Sequence, residues 1–179
     1  MRIITAAEHR RVPWRNGGGT TREILVEPPG AARFLHRVSL ADVDSSGPFS
    51  RFEGYERHIV VVHGAGMRLH GVRVGTLQLE PLEPRTFSGD WDVEGSLVDG
   101  PVRDFNLIVD RARATSSLEV LRTRLPVTLT LQPDEVSIVH LLEGECATLR
   151  RGDTLVTEVA TEIVPGSDVI LLVGRVRPH

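Results

Sequence analysis

The chain has 179 residues, of which 40% are hydrophobic and 25% charged. This length suits one globular domain or two small halves, and a chain of this size buries about 70% of its extended-chain surface on folding. A formal net charge of −3 and an aromatic content of 4% argue against nucleic-acid binding, which needs a basic surface or stacking side chains. A single cysteine excludes an internal disulfide, and the lack of a long apolar run or a leader-like amino terminus makes us expect a cytoplasmic protein that does not enter a membrane.

Taken in chain order, the predicted elements are almost all strands. A short helix is predicted at 6–10, and the stretch 111–117 fits a short helix or a loop equally well. Elsewhere, β-branched or alternating segments are bounded by Gly, Pro and Asp, which is typical of strands. These segments are 20–27, 34–41, 60–62, 72–80, 103–108, 127–132, 136–143 and 168–176. With eleven prolines and seventeen glycines to form turns, the sequence predicts an all-β sandwich or barrel.

A weak internal repeat of eighty residues accompanies this pattern. The segment Ile59-Val-Val-Val-His-Gly64 aligns with Val139-His-Leu-Leu-Glu-Gly144, and a leucine follows each terminal glycine five residues later. The polar segment RARATSS at 111–117 lies between the copies and suits a connection between them. We therefore predict two halves of related topology that meet near Ala112.

The most unusual run of residues is PWRNGGGTTREI at 13–24. Three consecutive glycines permit positive φ and close backbone approach, so this run could present amide N–H groups to a ligand. It lacks the lysine and the glycine spacing of nucleotide-binding loops. A flexible loop that leads into the strand at 20–27 explains the glycines equally well.

Two strands place polar side chains in pairs on one face. Arg37 and Ser39 lie two residues apart on one strand, and Asp104 and Asn106 lie two residues apart on another, so each pair shares a face. If these faces line a barrel interior, the arginine needs an anionic partner and the Asp/Asn pair needs hydrogen bonds. On the residues alone, Arg37 fits a solvated surface at least as well.

No residue pattern indicates a metal centre or covalent catalysis. The seven histidines include no pair two residues apart, the spacing that would put two imidazoles on one strand face. His63 fits a hydrogen-bonded turn residue, and His140 fits a buried strand residue. The chain has no GxSxG elbow and no lysine for a Schiff base or a P-loop. We therefore expect no metal and no cofactor.

Five segments together resemble the HutD/Ves family. They are PWRNGGGTTREI at 13–24, RVSLA at 37–41, SGPFSRFEGYER at 46–57, TFSGD at 86–90 and DFNLIVDR at 104–111. Their order and spacing match the family over roughly the first 110 residues. The chain differs from the family pattern at His36, where many members have tryptophan before the arginine.

The resemblance implies a bicupin, with an amino-terminal cupin half at 1–111 that holds the ligand pocket and a carboxy-terminal cupin half at 112–179. It also implies a homodimer and a binding role rather than catalysis. Carried over residue by residue, the pattern places seven polar side chains around the first cavity. These are Asn16, Thr20, Arg22, Arg37, Arg57, Asp104 and Asn106. Converging arginines would repel one another unless an anion binds between them, so the implied partner is a small carboxylate.

The resemblance favours a metal-free accessory or regulatory protein that binds an intermediate of histidine catabolism, namely N-formylglutamate, formiminoglutamate or urocanate. A second hypothesis is a metal-independent isomerase or lyase that uses Glu23, His63 or Asp104 as acid and base. A third is a stress-response interaction protein in which the barrel is only a scaffold.

Overall fold

The computed structural model describes residues 1–179, which form seventeen strands and one turn of 3-10 helix at Ala6–Glu8. The first eleven strands are β1 Arg2–Ile4, β2 Arg10–Pro13, β3 Gly19–Glu27, β4 His36–Val43, β5 Gly47–Pro48, β6 Tyr55–His63, β7 Met67–Gly71, β8 Gly75–Leu79, β9 Arg85–Ser88, β10 Glu94–Leu97 and β11 Val102–Asp110. The last six are β12 Ala114–Thr123, β13 Val127–Leu129, β14 Val136–Glu143, β15 Thr154–Thr157, β16 Thr161–Ile163 and β17 Val169–Pro178. The predicted all-β class is confirmed.

Two sequence predictions about individual elements are wrong. The segment 72–80 is not one strand, because the chain turns after β7 and returns as β8. Gly75, at the start of β8, has a φ of +64°. Val72 lies in this turn and is fully exposed, so its β-branched side chain does not mark a buried strand position. The segment 111–117 is neither helix nor loop throughout, since β12 begins at Ala114 and pairs with β17 along its whole length.

The unit formed by Arg10–Arg113 is a β-sandwich of two sheets. One sheet has the strand order β2-β3-β4-β11-β6-β9, and the other has the order β5-β10-β7-β8. Apolar side chains from both sheets, among them Val43, Ile59, Met67, Leu69 and Phe87, form its hydrophobic core. The two middle strands of the larger sheet, β4 and β11, carry the polar pairs singled out in the sequence.

The second unit combines Met1–His9 with Ala114–His179. Its main sheet has the order β1-β15-β14-β17-β12, and β13 pairs with β16. The sequence-based division at 111/112 assigns the first nine residues to the other half. In the structure they join this unit because β1 pairs with β15 and the Ala6 backbone N–H donates to Asp153 Oδ1 at 3.1 Å.

The predicted repeat corresponds to matching strand arrangements in the two units. β11 lies between β4 and β6 in one sheet, and β17 lies between β12 and β14 in the other. Gly64 and Gly144, which end the aligned segments, have φ values of +96° and +84°. A Cβ at Gly64 would lie 2.7 Å from the Pro101 carbonyl oxygen, and a Cβ at Gly144 would lie 2.2 Å from the Asp168 carbonyl oxygen. Each of these oxygens belongs to the residue just before the middle strand. Both turns therefore require glycine.

None of the helical segments has the length and the hydropathy that a membrane-spanning helix would need.

The carboxylate of Asp110 holds the end of β11 to neighbouring segments. It is buried and accepts hydrogen bonds from Arg33 Nε at 2.7 Å, from Arg113 Nε at 2.8 Å and from the Ala112 backbone N–H at 3.1 Å. The hydrogen bond from Arg33, followed by those from Arg113 and Ala112, holds the pKa of Asp110 well below its usual range. The ionised carboxylate therefore stabilises the fold.

We expect Asp110→Asn to lower the free energy of unfolding by about 2 kcal/mol at pH 7, because hydrogen bonds to a charged group are lost. The pKa of Asp110 is lower in the folded chain than in the unfolded chain, where it is about 3.9. The wild-type advantage is therefore complete above that value and declines as pH falls through and below it. Urea unfolding at pH 7 and at about pH 3 measures both effects. Asp92→Asn, at an exposed carboxylate, is the control and should leave the midpoint unchanged.

Candidate ligand-binding cavity

A cavity of about 550 Å³ opens into the interior of the Arg10–Arg113 unit, within the size range of small-molecule sites. Its lining combines polar side chains with an apolar set that includes three aromatic rings. The polar residues are Arg15, Asn16, Thr21, Arg37, Ser39, Ser50, Arg57, Asp104 and Asn106. The apolar residues are Val12, Pro13, Trp14, Ala41, Pro48, Phe49, Phe52 and Ile108.

Strand register explains which predicted residues reach the cavity. Asn106 pairs with Ser39 on β4 and with Ile59 on β6, so the inward faces of three adjacent strands meet there. Five of the seven predicted residues line the cavity: Asn16, Arg37, Arg57, Asp104 and Asn106. The structure does not bring the other two to it.

Thr20 and Arg22 do not line the cavity, which corrects two of the predicted positions. Thr21 lines it, and side chains alternate along β3, so its neighbours Thr20 and Arg22 lie on the opposite face. Arg22 donates there to Asp42 Oδ2, from Nε at 3.2 Å and from a terminal nitrogen at 2.9 Å. Arg103 binds the other oxygen of Asp42 at 2.5 Å, so this cluster is separate from the cavity.

Arg37 is held along one edge and free along the other. Its Nε donates to Glu23 Oε2 at 3.1 Å, and the other oxygen of Glu23 accepts from Arg10 at 2.9 Å. The Arg37 side chain is 19% exposed, and its two terminal nitrogens have no partner within the protein. This arrangement leaves a two-pronged donor facing the cavity, with its orientation set by Glu23.

Arg57 is a buried cation surrounded by phenylalanine rings. Its guanidinium carbon lies 5.4, 5.3 and 5.0 Å from the ring centres of Phe49, Phe52 and Phe87. Its terminal nitrogens donate to the Ser50 carbonyl at 3.1 Å and to Asn106 Oδ1 at 2.9 Å. Burial lowers the pKa of Arg57 to about 10, and the group stays charged at neutral pH. Each terminal nitrogen of Arg57 therefore has a partner within the protein, whereas its buried Nε has none.

Asn106 connects Arg57 to Asp104. Its amide oxygen accepts from Arg57, and its amide nitrogen donates to Asp104 Oδ1, so the two bonds fix which way the amide points. Asp104 is 1% exposed, and its Oδ2 has no hydrogen-bond partner. Burial raises the pKa of Asp104 to about 7, against the opposing effect of Arg57. The network therefore ends in a carboxyl group that lacks one partner.

The buried arginines already have ionic partners, which corrects the expectation that they repel one another until an anion binds. Arg37 has Glu23 as an ionic partner, and Arg57 lies in the same network as Asp104. The buried part of the site therefore contains two cations and two carboxyl groups.

The glycine run at 13–24 is a structural loop in which several amides are already used. The Gly17 N–H donates to the Trp14 carbonyl at 3.1 Å, and the Gly18 N–H donates to Asn16 Oδ1 at 3.1 Å. A Cβ at Gly19 would lie 2.2 Å from the Asp42 carbonyl oxygen and 3.1 Å from the Trp14 ring. The glycines thus permit close packing, and no glycine lines the cavity.

A β-bulge keeps His63 away from the cavity. Asp104 pairs with Val61, but Arg103 pairs with His63, so β6 has one extra residue at this point. The extra residue moves His63 to the face that carries Arg103, where it is exposed. Of the three acid–base candidates, only Asp104 lines the cavity, because Glu23 contacts Arg37 from beside it. No three His, Cys, Asp or Glu side chains come together in a way that could hold a metal ion.

Sequence reasoning missed the aromatic part of the site. Trp14, Phe49 and Phe52 line the cavity, and the indole N–H of Trp14 donates to Thr21 Oγ1 at 2.8 Å. From the sequence, Phe49 and Phe52 fit aromatic anchors of a turn-rich linker at 46–57. The two phenylalanines lie close to Arg57 in the sequence, which is a possible signal of a shared site. Only the fold places the Arg57 guanidinium against both rings.

The corresponding region of the second unit is filled by its own side chains. Leu171 of β17 pairs with Leu141 and Leu121, as Asp104 of β11 pairs with Val61 and Ala41. Two residues further along, Val173 corresponds to Asn106. Leu171 and Val173 belong to an aliphatic core in which the other members are also apolar. The polar network is therefore confined to the first unit.

Fold and cavity together define a bicupin in which one of two related β-sandwich units holds a polar, ligand-sized cavity. Solved structures with this fold include the bacterial pirin YhhW from Escherichia coli in complex with nickel(II), with a TM-score of 0.72 at 10% identity over 99% of this chain and 98% of that chain. At this identity, the likeness concerns the fold alone.

The chain belongs to the HutD family, whose model matches residues 6–170. It is 34% identical over 152 residues to Protein Ves of Citrobacter koseri, covering 83% of this chain and 76% of that protein. It is 40% identical over 120 residues to an uncharacterized 21.2 kDa protein in the hutC 3' region of Pseudomonas putida. That match covers 66% of this chain and 63% of the relative, less than two thirds of its length.

Two solved structures are similar over nearly the whole chain. One is a conserved protein of unknown function from Pseudomonas aeruginosa PAO1, with a TM-score of 0.90 and 29% identity over 98% of both chains. The other is HutD from Pseudomonas fluorescens SBW25 in a formate condition, with a TM-score of 0.79 and 31% identity over 99% of this chain and 98% of that one.

Proposed function

We propose that the protein binds a small carboxylate metabolite in the first-unit cavity and acts as an accessory or regulatory component of histidine utilisation. The observation that carries this proposal is the Arg37 guanidinium, held by Glu23 with its terminal nitrogens unpartnered at a cavity of about 550 Å³. A planar guanidinium with two free donors matches the two oxygens of a carboxylate.

The rest of the lining supports an elongated ligand with both polar and apolar parts. Asn16 and Asn106 each have an amide nitrogen that could donate to an amide or formyl oxygen of the ligand. Trp14, Phe49 and Phe52 would cover its carbon skeleton. A ligand that lacks the amide oxygen would leave the buried donor of Asn106 unpaired, at a cost of about 1–3 kcal/mol.

The link to histidine utilisation comes from the family and from the relatives. The family model is HutD, one relative is described by its place in the hutC 3' region, and a solved homologue is a HutD. N-formylglutamate, formiminoglutamate and urocanate are the candidate ligands, since each combines a carboxylate with a nitrogen-bearing group. The homodimer implied by the family resemblance stays a prediction, which sedimentation velocity can check.

Calorimetric titration with these three compounds and with glutamate tests the proposal. We expect at least one of the three to bind, and N-formylglutamate to bind more tightly than glutamate by about 5- to 150-fold, the equivalent of one buried hydrogen bond. Titrations without heat at millimolar concentrations of every compound, repeated at two temperatures, would rule the proposal out.

A metal-independent isomerase or lyase is the second candidate. It is favoured by one observation, the buried Asp104 carboxyl at the cavity, with a pKa raised to about 7 as a general acid or base requires. Prolonged incubation of each compound with the protein, followed by NMR of the mixture, would detect conversion. Loss of that conversion in Asp104→Asn would favour the enzyme over the binding protein.

A further inference from the structure

We propose that Asp104 is the proton-binding group of this site, so that an anion bound beside Arg37 is accompanied by a proton taken up on the Asp104 carboxyl. The inference rests on the proposed function, because it describes how the cavity accepts an anionic ligand. It adds a proton to the binding reaction and makes affinity depend on pH.

The first argument is the charge balance of the buried groups. Arg37 is paired with Glu23, and Arg57 lies in one network with Asp104 through Asn106. With Asp104 ionised, the charges of these four groups sum to zero, while two further cations, Arg10 at Glu23 and Arg15 in the lining, are exposed to solvent. A bound anion would therefore leave a net negative charge among the buried groups. Such a charge is costly, and protonation of a carboxyl group removes it.

The second argument is the position of the unpartnered oxygen. Asp104 Oδ1 accepts from Asn106, whereas Oδ2 is buried without a partner. A buried carboxylate oxygen with no donor is unfavourable, but a protonated carboxyl can use the same oxygen to donate to a ligand anion. Protonation therefore turns an unsatisfied acceptor into a donor at the cavity.

The surrounding charges agree with a carboxyl group that titrates near neutrality. Arg57 on β6 favours the ionised form, whereas Asp42 on β4 and the burial of Asp104 disfavour it, and burial has the largest effect. Together these raise the pKa of Asp104 to about 7. Arg37 on β4 and its partner Glu23 on β3 are the other charged groups of the buried site, and Arg10 and Arg15 lie at its exposed side.

Linkage gives the sign of the pH dependence. If the ligand binds the protonated form, affinity is constant well below the pKa of the free protein and falls about tenfold per pH unit well above it. Proton uptake on binding should be about one half near pH 7 and should approach one at about pH 8.5. A ligand that only accepts donors from the protein and leaves Asp104 ionised would take up no proton.

The first measurement is calorimetry of the full chain with N-formyl-L-glutamate and, separately, with formate, from pH 6 to pH 9. Titrations at pH 8 in buffers of different ionisation enthalpy count the protons taken up. We expect uptake near one and a roughly tenfold weaker Kd at pH 8.5 than at pH 7.5. Asp104→Asn should bind with the same Kd across this range, and Asp99→Asn, at an exposed carboxyl, should keep the wild-type profile.

The second measurement does not depend on that variant folding. Carbon-13 NMR of the aspartate carboxyl groups of the wild-type protein should show one carboxyl that titrates near pH 7 and that moves to higher pH when formate is added. If N-formyl-L-glutamate gives no heat but formate binds with proton uptake, the proposed metabolite is wrong and the role of Asp104 stands. If either anion binds without proton uptake, or Asp104 titrates below about pH 5 in the free protein, the role of Asp104 is wrong. If no anion binds at any pH, both proposals fail.

Discussion

Arg37→Ala should weaken binding of the carboxylate ligand by about 1.5–3 kcal/mol, or about 10- to 150-fold in Kd, the contribution of hydrogen bonds to a charged group. The guanidinium supplies two donors that have no partner within the protein, and its Nε bond to Glu23 holds them in place. Glu23 keeps Arg10 as a second partner, so the variant does not leave that carboxylate without a cation. Calorimetry at pH 7 measures the change.

The neighbouring strand supplies a matched control. Arg22 on β3 was also predicted to bind the ligand, but it lies on the opposite face of the sheet and pairs with Asp42. Arg22→Ala removes the same charge from the same sheet and should leave Kd unchanged. Equal losses in the two variants would mean that a general positive field, and not the Arg37 donors, holds the anion. Unchanged affinity in Arg37→Ala would place the ligand elsewhere.

Arg57→Met should lower the free energy of unfolding by about 3–5 kcal/mol, the usual cost of removing one member of a buried ionic network. The methionine would retain apolar contacts with the three phenylalanine rings. The change leaves the Asn106 oxygen and the Ser50 carbonyl without their donor, and it removes the cation that offsets Asp104. Urea unfolding at pH 7 gives the size of the effect.

The second unit shows which replacement should recover that stability. Leu171 and Val173 stand where Asp104 and Asn106 stand in the first unit, and they pack in an aliphatic core. We therefore expect Arg57→Met combined with Asp104→Leu and Asn106→Val to be more stable than Arg57→Met alone, because the buried carboxyl and amide that lost Arg57 are removed with it. The triple variant should bind no ligand. A triple variant no more stable than Arg57→Met would show that packing around Arg57, and not its polar partners, accounts for the loss.

Regular alternation explains why much of the site could be predicted. Side chains two residues apart share a strand face, so Arg37 with Ser39 and Asp104 with Asn106 follow from the sequence once their strands are recognised. Arg57 was placed by family resemblance alone, since its segment reads as a turn-rich linker. In the structure Arg57 belongs to β6, which begins at Tyr55.

The predictions that proved wrong concern positions at which the alternation of side chains does not determine the structure. Thr21 and not Thr20 lines the cavity, because successive side chains of β3 point to opposite faces of the sheet. The sequence does not tell which of these two faces points inward. A β-bulge moves His63 to the outer face, and no residue pattern in β6 marks that extra residue. The turn after β7 interrupts a run of alternating valines that looks like one strand.

By itself, the sequence determined the all-β class, the two related halves and the family, because periodicity, turn residues and unusual motifs are local properties of the chain. Only the tertiary structure decided that Arg37 keeps its terminal donors free at the cavity and that Arg57 is enclosed by phenylalanines. It also placed leucine and valine of the second unit at the positions of the polar pair. These outcomes depend on strand register and on contacts between residues distant in sequence. The charge balance inside the cavity, and with it the proton that we expect to accompany an anion, depends on the same contacts.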